Sequence, residues 1–160
     1  MSVTDEESYC AWFSDPAIME GIGPPLSRDR AQAGFHASLR MMSARAPQAW
    51  LWIASVDADQ ESMGLFGIVV RGERHEVGAL LAPPHQGRGY AYEALSAVCE
   101  FAFVGLRLSA LWGHQLSSNR ISIGLMEKLG FRAIGGDAGW IDWHLESADW
   151  CADDGAKSER

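Results

Sequence analysis

The chain has 160 residues, 48% of them hydrophobic and 21% charged, with a formal net charge of -8 at pH 7. That size suits one globular domain with one good core, read here as residues 1–151, followed by a small, polar, charged and disordered tail at 152–160. The acidic balance and the absence of clustered Lys and Arg exclude a nucleic-acid surface, and suit cationic partners as well as plain solubility. No basic-then-apolar leader opens the chain, and the most apolar stretch, Ala97 to Trp112, is interrupted by Glu100 and Arg107. Neither secretion nor a membrane span is therefore expected, and the expected compartment is the cytoplasm. Cys10, Cys99 and Cys151 have no pairing or metal-ligand spacing, so reduced thiols and no metal site are expected.

In chain order, helical spacing predicts a helix near Glu6 to Phe13 and another between Arg28 and Arg45, stopped before Pro47. Trp50 to Val56 reads as a strand, Asp57 to Gln60 as a turn, and Met63 to Val70 as the second strand of a hairpin. Gly72-Glu73 turns the chain into a third strand, His75 to Ala82, which a Pro83-Pro84 stop ends. A helix over Tyr90 to Phe103, a strand over Ser109 to Gln115, a helix from Asn119, and terminal strands at Phe131 to Ile134 and Trp140 to Leu145 complete the reading. The strands on either side of the Tyr90 helix should lie parallel, as a strand, crossover helix and strand in one sheet do.

Gln86-Gly87-Arg88-Gly89-Tyr90-Ala91 joins the third strand to that helix. Backbone N–H groups at a helix start attract anions, and glycines let the main chain approach a ligand, so a phosphate or pyrophosphate is the expected cargo. The loop lacks the Gly-Lys-Ser/Thr of nucleoside-triphosphate sites, and Tyr92 stands where the dinucleotide fingerprint needs a small residue. A second segment, Ser117 to Phe131, reads as a helix capped by Ser117 or Ser118 and ended by a left-handed Gly130, with Phe131 folding back. Asn119, Ser122, Met126 and Leu129 share one stripe of it.

Together these segments resemble the GNAT superfamily of N-acetyltransferases. Gln86-x-x-Gly89-x-Ala91 reads as its acetyl-CoA signature and Asn119 to Phe131 as the segment that follows; the likeness runs from about residue 10 to 146. Glu76-x-Gly78, Tyr90-Ala91-x-Glu93-Ala94 and Glu127-Lys128-Leu129-Gly130-Phe131 look like the branch that acetylates ribosomal-protein N-termini and related amines. The resemblance implies an α+β fold of three-layer α/β/α type. Its sheet is mixed and mostly antiparallel, with six or seven strands, a parallel splayed central pair and about four flanking helices. Acetyl-CoA would be the cosubstrate, its pantetheine arm lying in the splay. Ala79, Leu80 and Leu81 match the positions whose backbone pairs with that arm, Gln86 and Gly87 through Tyr92 match the pyrophosphate cradle, and Asn119 matches the residue that helps fix the arm. Arg88 and Arg120, at helix starts, are placed to meet the phosphates, or are merely solvated. Family members usually begin with a strand before the first helix; here only Met1 to Asp5 stand in that place, so the sheet is one strand short or its opening pairs differently.

The implied chemistry is direct attack of an uncharged amine on the thioester in a ternary complex. It needs a base, oxyanion donors and an acid for the thiolate. Deprotonating a lysine amine at neutral pH costs roughly 4 to 5 kcal/mol, and an α-amino group only about 1, so an N-terminal or low-pKa amine manages with a weak base. Glu76 is the first candidate base, with a surface ion pair to Arg71 or Arg74 as its competing reading; His114 is the alternative, and His75 and His85 read as solvated turn residues. Many relatives place Tyr seven residues after the Asn as general acid. Here Met126 stands there and cannot donate a proton, which leaves Ser122 as the thiolate's donor. Trp50, Trp52 and Trp140 read as core-facing, and Trp112 and Trp143 as the tryptophans to seek near an acceptor pocket. A noncatalytic acyl-CoA-binding partner protein on the same fold is the alternative, a nucleotide-binding domain a distant third, and the apolar terminal strand points to a homodimer.

Overall fold

The computed structural model describes residues 1–56 and 61–150; the turn expected at 57–60, the tail at 152–160 and Cys151 lie outside the described residues. In chain order the elements are α1 (Glu6–Ser14), α2 (Pro16–Met19), α3 (Arg28–Ser43), β1 (Ala49–Val56), β2 (Glu61–Arg71) and β3 (Arg74–Leu81). There follow α4 (Tyr90–Glu100), β4 (Ala110–Leu116), α5 (Arg120–Lys128), β5 (Arg132–Gly135) and β6 (Trp140–Glu146). The strands form one sheet in the order β1-β2-β3-β4-β6-β5. Every neighbouring pair is antiparallel except β3 and β4, which run parallel across the α4 crossover. The expected α+β architecture is therefore present, with six strands and five α-helices among the described residues.

Alternation along the strands builds two cores, one on each face. Ala49 and Leu51 of β1, Leu65 of β2 and Leu80 of β3 meet Tyr9 and Trp12 of α1 and Phe35 of α3. On the other face Phe66, Ile68, Val77, Leu111, Trp143 and Leu145 meet Leu95, Val98 and Cys99 of α4, Met126 of α5 and Leu129 just past its end. The helix layers on both faces give the three-layer form.

Of the two alternatives for the opening segment, the sheet that is one strand short is the one found, and several other expectations are corrected. Residues Val3–Asp5 make a short 3-10 turn in place of an opening strand, and the Met1 ammonium donates to the Leu51 carbonyl at 2.8 Å. Among the described residues the sheet thus has no strand before α1. The helix expected to reach Phe103 is α-helical to Glu100 and passes into a π-turn over Phe101–Gly105. Trp52 is 38% exposed and meets Phe101 edge-on at 5.1 Å just past the end of α4, which does not cover it, whereas Trp50 packs partly buried against that core as expected. Trp143 is a core residue at 3% exposure rather than an acceptor-pocket residue.

Leu111 is fully buried between both helices and the sheet. Leu111→Ala should lower unfolding free energy by roughly 2 to 5 kcal/mol, read as a drop in the urea midpoint at constant slope.

Candidate active site

The parallel strands β3 and β4 share one registered pair, Glu76 with Trp112, and part beyond it, while β3 stays paired to β2 as far as Leu81. Ala82 N–H donates to the Met63 carbonyl on β2 at 2.9 Å. Backbone groups of successive strand residues point to opposite sides, so those of Leu80 also face β2 and those of Ala79 and Leu81 face the split. There the Leu81 carbonyl accepts from Gln86 Nε2 at 2.9 Å. Ala79 and the Leu81 N–H thus offer a strand edge to an extended ligand, whereas Leu80 contributes its side chain to the α1 and α3 core.

The split runs into the glycine loop. Gly87 and Gly89 have φ of 73° and 87°, left-handed values that glycine adopts without the strain a Cβ brings. A Cβ on either would meet no protein atom within 4 Å, so the space in front of the loop is open. Gly89 caps α4 with no side-chain hydrogen bond, and the helix therefore presents bare N–H groups and the positive end of its dipole to that space. His85, expected to be solvated, is 8% exposed: the turn over Pro83–His85 folds it inward.

Across the opening, α5 is capped by Asn119 rather than by Ser117 or Ser118. Its Oδ1 accepts from Ser122 N–H at 3.1 Å, and its Nδ2 donates to the Gly21 carbonyl at 2.9 Å. The Ser122 hydroxyl donates to Gln115 Oε1 on β4. The helix ends as expected, with Gly130 at φ 88°, Gly130 N–H on the Glu127 carbonyl and Phe131 N–H on the Met126 carbonyl, both at 3.0 Å. Met126 is 5% exposed, and a Cβ on Gly113 would lie 2.6 Å from its Cε, so this side chain belongs to the core.

These parts enclose an open cleft of about 640 Å³. Every residue expected to hold the cofactor lines it except Arg88, and so does Ser122; Glu76 and His114 do not. Glu76 lies beside the start of the split, its Oε2 4.0 Å from Arg71 Nε. His114 Nδ1 lies 2.7 Å from Asp142 Oδ1. The opposite wall, Ala17 to Ile22, was not anticipated: it comes from α2 and the loop after it, and it supplies Glu20, the one carboxylate in the lining among the described residues. Asp15-Pro16 was the available signal, since the Asp15 carboxylate accepts from the N–H groups of Ala17 and Ile18 and Pro16 occupies the first helical position. Cysteine chemistry is not offered by the described residues. Cys99 is buried and its thiol is pushed up to about 12 by desolvation, and Cys10 is likewise raised by burial.

Residues 1–132 match the family model described as an acetyltransferase (GNAT) domain, and the chain belongs to that family. It is similar to an uncharacterized N-acetyltransferase p20 of Bacillus licheniformis, 26% identical over 138 residues, which are 84% of this chain and 78% of that protein. Its fold is similar to that of an acetyltransferase from Agrobacterium tumefaciens, with TM-score 0.79, 24% identity, and coverage of 91% of this chain and 87% of the other. It is also similar in fold to a spermidine N-acetyltransferase from Vibrio cholerae in complex with CoA and spermine: TM-score 0.77, 18% identity, 93% and 94% coverage.

Because one side chain both starts α5 and holds the Gly21 carbonyl, Asn119→Ala should cost about 1 kcal/mol of stability. It should also speed amide exchange at Ile22 and Gly23, and hydrogen–deuterium exchange of wild type and variant checks both effects.

Proposed function

We propose that this protein transfers the acetyl group of acetyl-CoA directly to an amine. The observation that carries the reading is the junction of a bare strand edge at Ala79 and Leu81 with an uncapped helix start at Gly89. The first suits an amide-bearing arm laid along β3, the second a diphosphate. The cleft volume and the open space before Gly87 and Gly89 fit such a ligand, and Arg88 and Arg120 stand exposed at the two helix starts. When bound, the cosubstrate supplies an activated acetyl thioester. Residues 1–151 would act as one domain.

The chain's own groups divide the remaining work. Ala79 and Leu81 orient the arm, and bare amides of the loop offset the diphosphate charge. Ser122 stands in the cleft and acts as proton donor to the sulfur by turning its one hydroxyl proton away from Gln115, since Met126 is committed to the core. Glu20 on the opposite wall favours a cationic acceptor, such as a protein N-terminus, a lysine or a small-molecule amine. The branch resemblance around Glu76, Tyr90 and Glu127 favours an α-amino group, whose lower pKa lightens the base's task.

Calorimetry with acetyl-CoA, followed by thiol release with a panel of amines and peptide N-termini, tests the proposal. No binding refutes it, and binding without thiol release leaves the noncatalytic acyl-CoA-binding alternative. Gly89→Ala, which forces a Cβ into a left-handed backbone beside the diphosphate, should weaken acetyl-CoA binding by about tenfold or more, about 1.4 kcal/mol. Ser122→Ala should lower turnover by at least about tenfold with acetyl-CoA affinity nearly intact; unchanged turnover retires its role as donor.

A further inference from the structure

The sheet face that carries α1 and α3 is covered over only part of its width. Its apolar cluster draws strand residues from β1, β2 and β3 and none from β4 or β6. Leu111, Trp143 and Leu145 point into the opposite core, and a Cβ on Gly113 would point there too, against Met126. Alternation therefore turns Trp112 and His114 of β4, and Trp140, Asp142 and His144 of β6, onto the uncovered half.

On this surface His114 is held from two directions. Asp142 is its registered partner across the strands, with Nδ1 and Oδ1 2.7 Å apart. The Trp140 indole lies flat against the imidazole, centroids 4.5 Å apart and planes within 5°. A carboxylate only accepts, so Nδ1 carries the proton of this hydrogen bond and, in the neutral ring, Nε2 is left as a lone-pair acceptor. The Trp140 face fixes the plane in which that lone pair lies.

His114 also stands beside the split. It lies two residues beyond Trp112, and the Glu76–Trp112 register carried on by two residues sets it opposite Gly78. A Cβ on Gly78 would meet nothing within 4 Å, so the space across from the imidazole is open. His114 is itself exposed, its side chain 44% accessible. Glu76, on the same face, has Arg71 beside its carboxylate.

We infer that Asp142 and Trp140 are positioning residues that hold His114 as the proton acceptor for an amine arriving on the uncovered half of this face. The inference rests on the acetyl-transfer reading. His114 Nε2 takes one proton from the acceptor ammonium, and the freed nitrogen pair forms the N–C bond to the acetyl carbon. The C–S bond breaks with its pair on sulfur, the second nitrogen proton ends on that sulfur, and the proton on His114 returns to solvent.

The test compares wild type, Asp142→Asn and Asp142→Glu by steady-state kinetics, acetyl-CoA calorimetry and long-range proton–nitrogen NMR of the histidine rings. A carboxamide can donate to Nδ1 and so stabilise the Nε2–H tautomer, which has no lone pair to offer. Asp142→Asn should therefore lower kcat by at least about tenfold while acetyl-CoA affinity stays within about twofold, and Asp142→Glu should recover part of the loss. The His114 spectrum should change from the Nδ1–H form in wild type to the Nε2–H form in Asp142→Asn. Wild-type kcat in Asp142→Asn, an unchanged tautomer, or a parallel loss of acetyl-CoA affinity overturns the inference. If wild type transfers acetyl but Asp142→Asn is unaffected, the inference falls while the acetyl-transfer reading stands. If wild type binds acetyl-CoA yet acetylates no amine, the base role falls with the reaction, and absent binding removes the acetyl-transfer reading itself.

Discussion

The parting of β3 from β4 after a single pair is the constraint on which the molecule's use depends. A continuous sheet would satisfy the backbone groups of Ala79 and Leu81 within the protein and leave no place for an extended ligand. Two features maintain the gap. The crossover through α4 fixes the strands as parallel neighbours, and the core beneath is filled by Val77, Leu111, Met126 and Trp143, so the strands separate above a packed floor. The exposed edge is then one wall of a site rather than an aggregation risk, because a loop and two helix starts surround it.

The two cores divide the labour accordingly. The α4 and α5 side is apolar and tightly filled, and it positions the glycine loop and Ser122 from behind. The α1 and α3 side reaches across β1 and β2 to the edge of β3 and stops, so the face beyond it is polar and aromatic, with Trp112 near His144 at 5.0 Å and His114 on Trp140. On the acetyl-transfer proposal, a cationic acceptor would meet rings and carboxylates there. Such surroundings favour an ammonium group without burying it in an apolar medium.

Much of this was legible in the order of residues. Apolar runs bounded by turn residues identified β1, β2 and β3, alternation identified β6, and the glycine loop and Gly130 marked the helix ends that matter, because backbone conformations of this kind admit few residue types. Ser117, Ser118 and Asn119 are near-equal caps, so only three-dimensional contact with Gly21 could choose among them. Trp52 alternates as a core residue does, yet alternation cannot say how far a covering helix extends. The wall from Ala17 to Ile22 rests on a four-residue helix, too short to show a period. His114 and Asp142 are 28 positions apart, and their meeting depends on a strand register that nothing local announces.

The amide of Asn119 has a consequence for how this architecture tolerates change. Gly21 sits so close that a methyl there would fall 2.6 Å from Asn119 Nδ2. Drift at either position is therefore not independent: a bulkier residue at 21 evicts the asparagine, and eviction removes a helix cap on one bank of the cleft together with a loop anchor on the other. Selection for new acceptors should accordingly work around this knot, at Ala17, Ile18 or Glu20, and leave it tied.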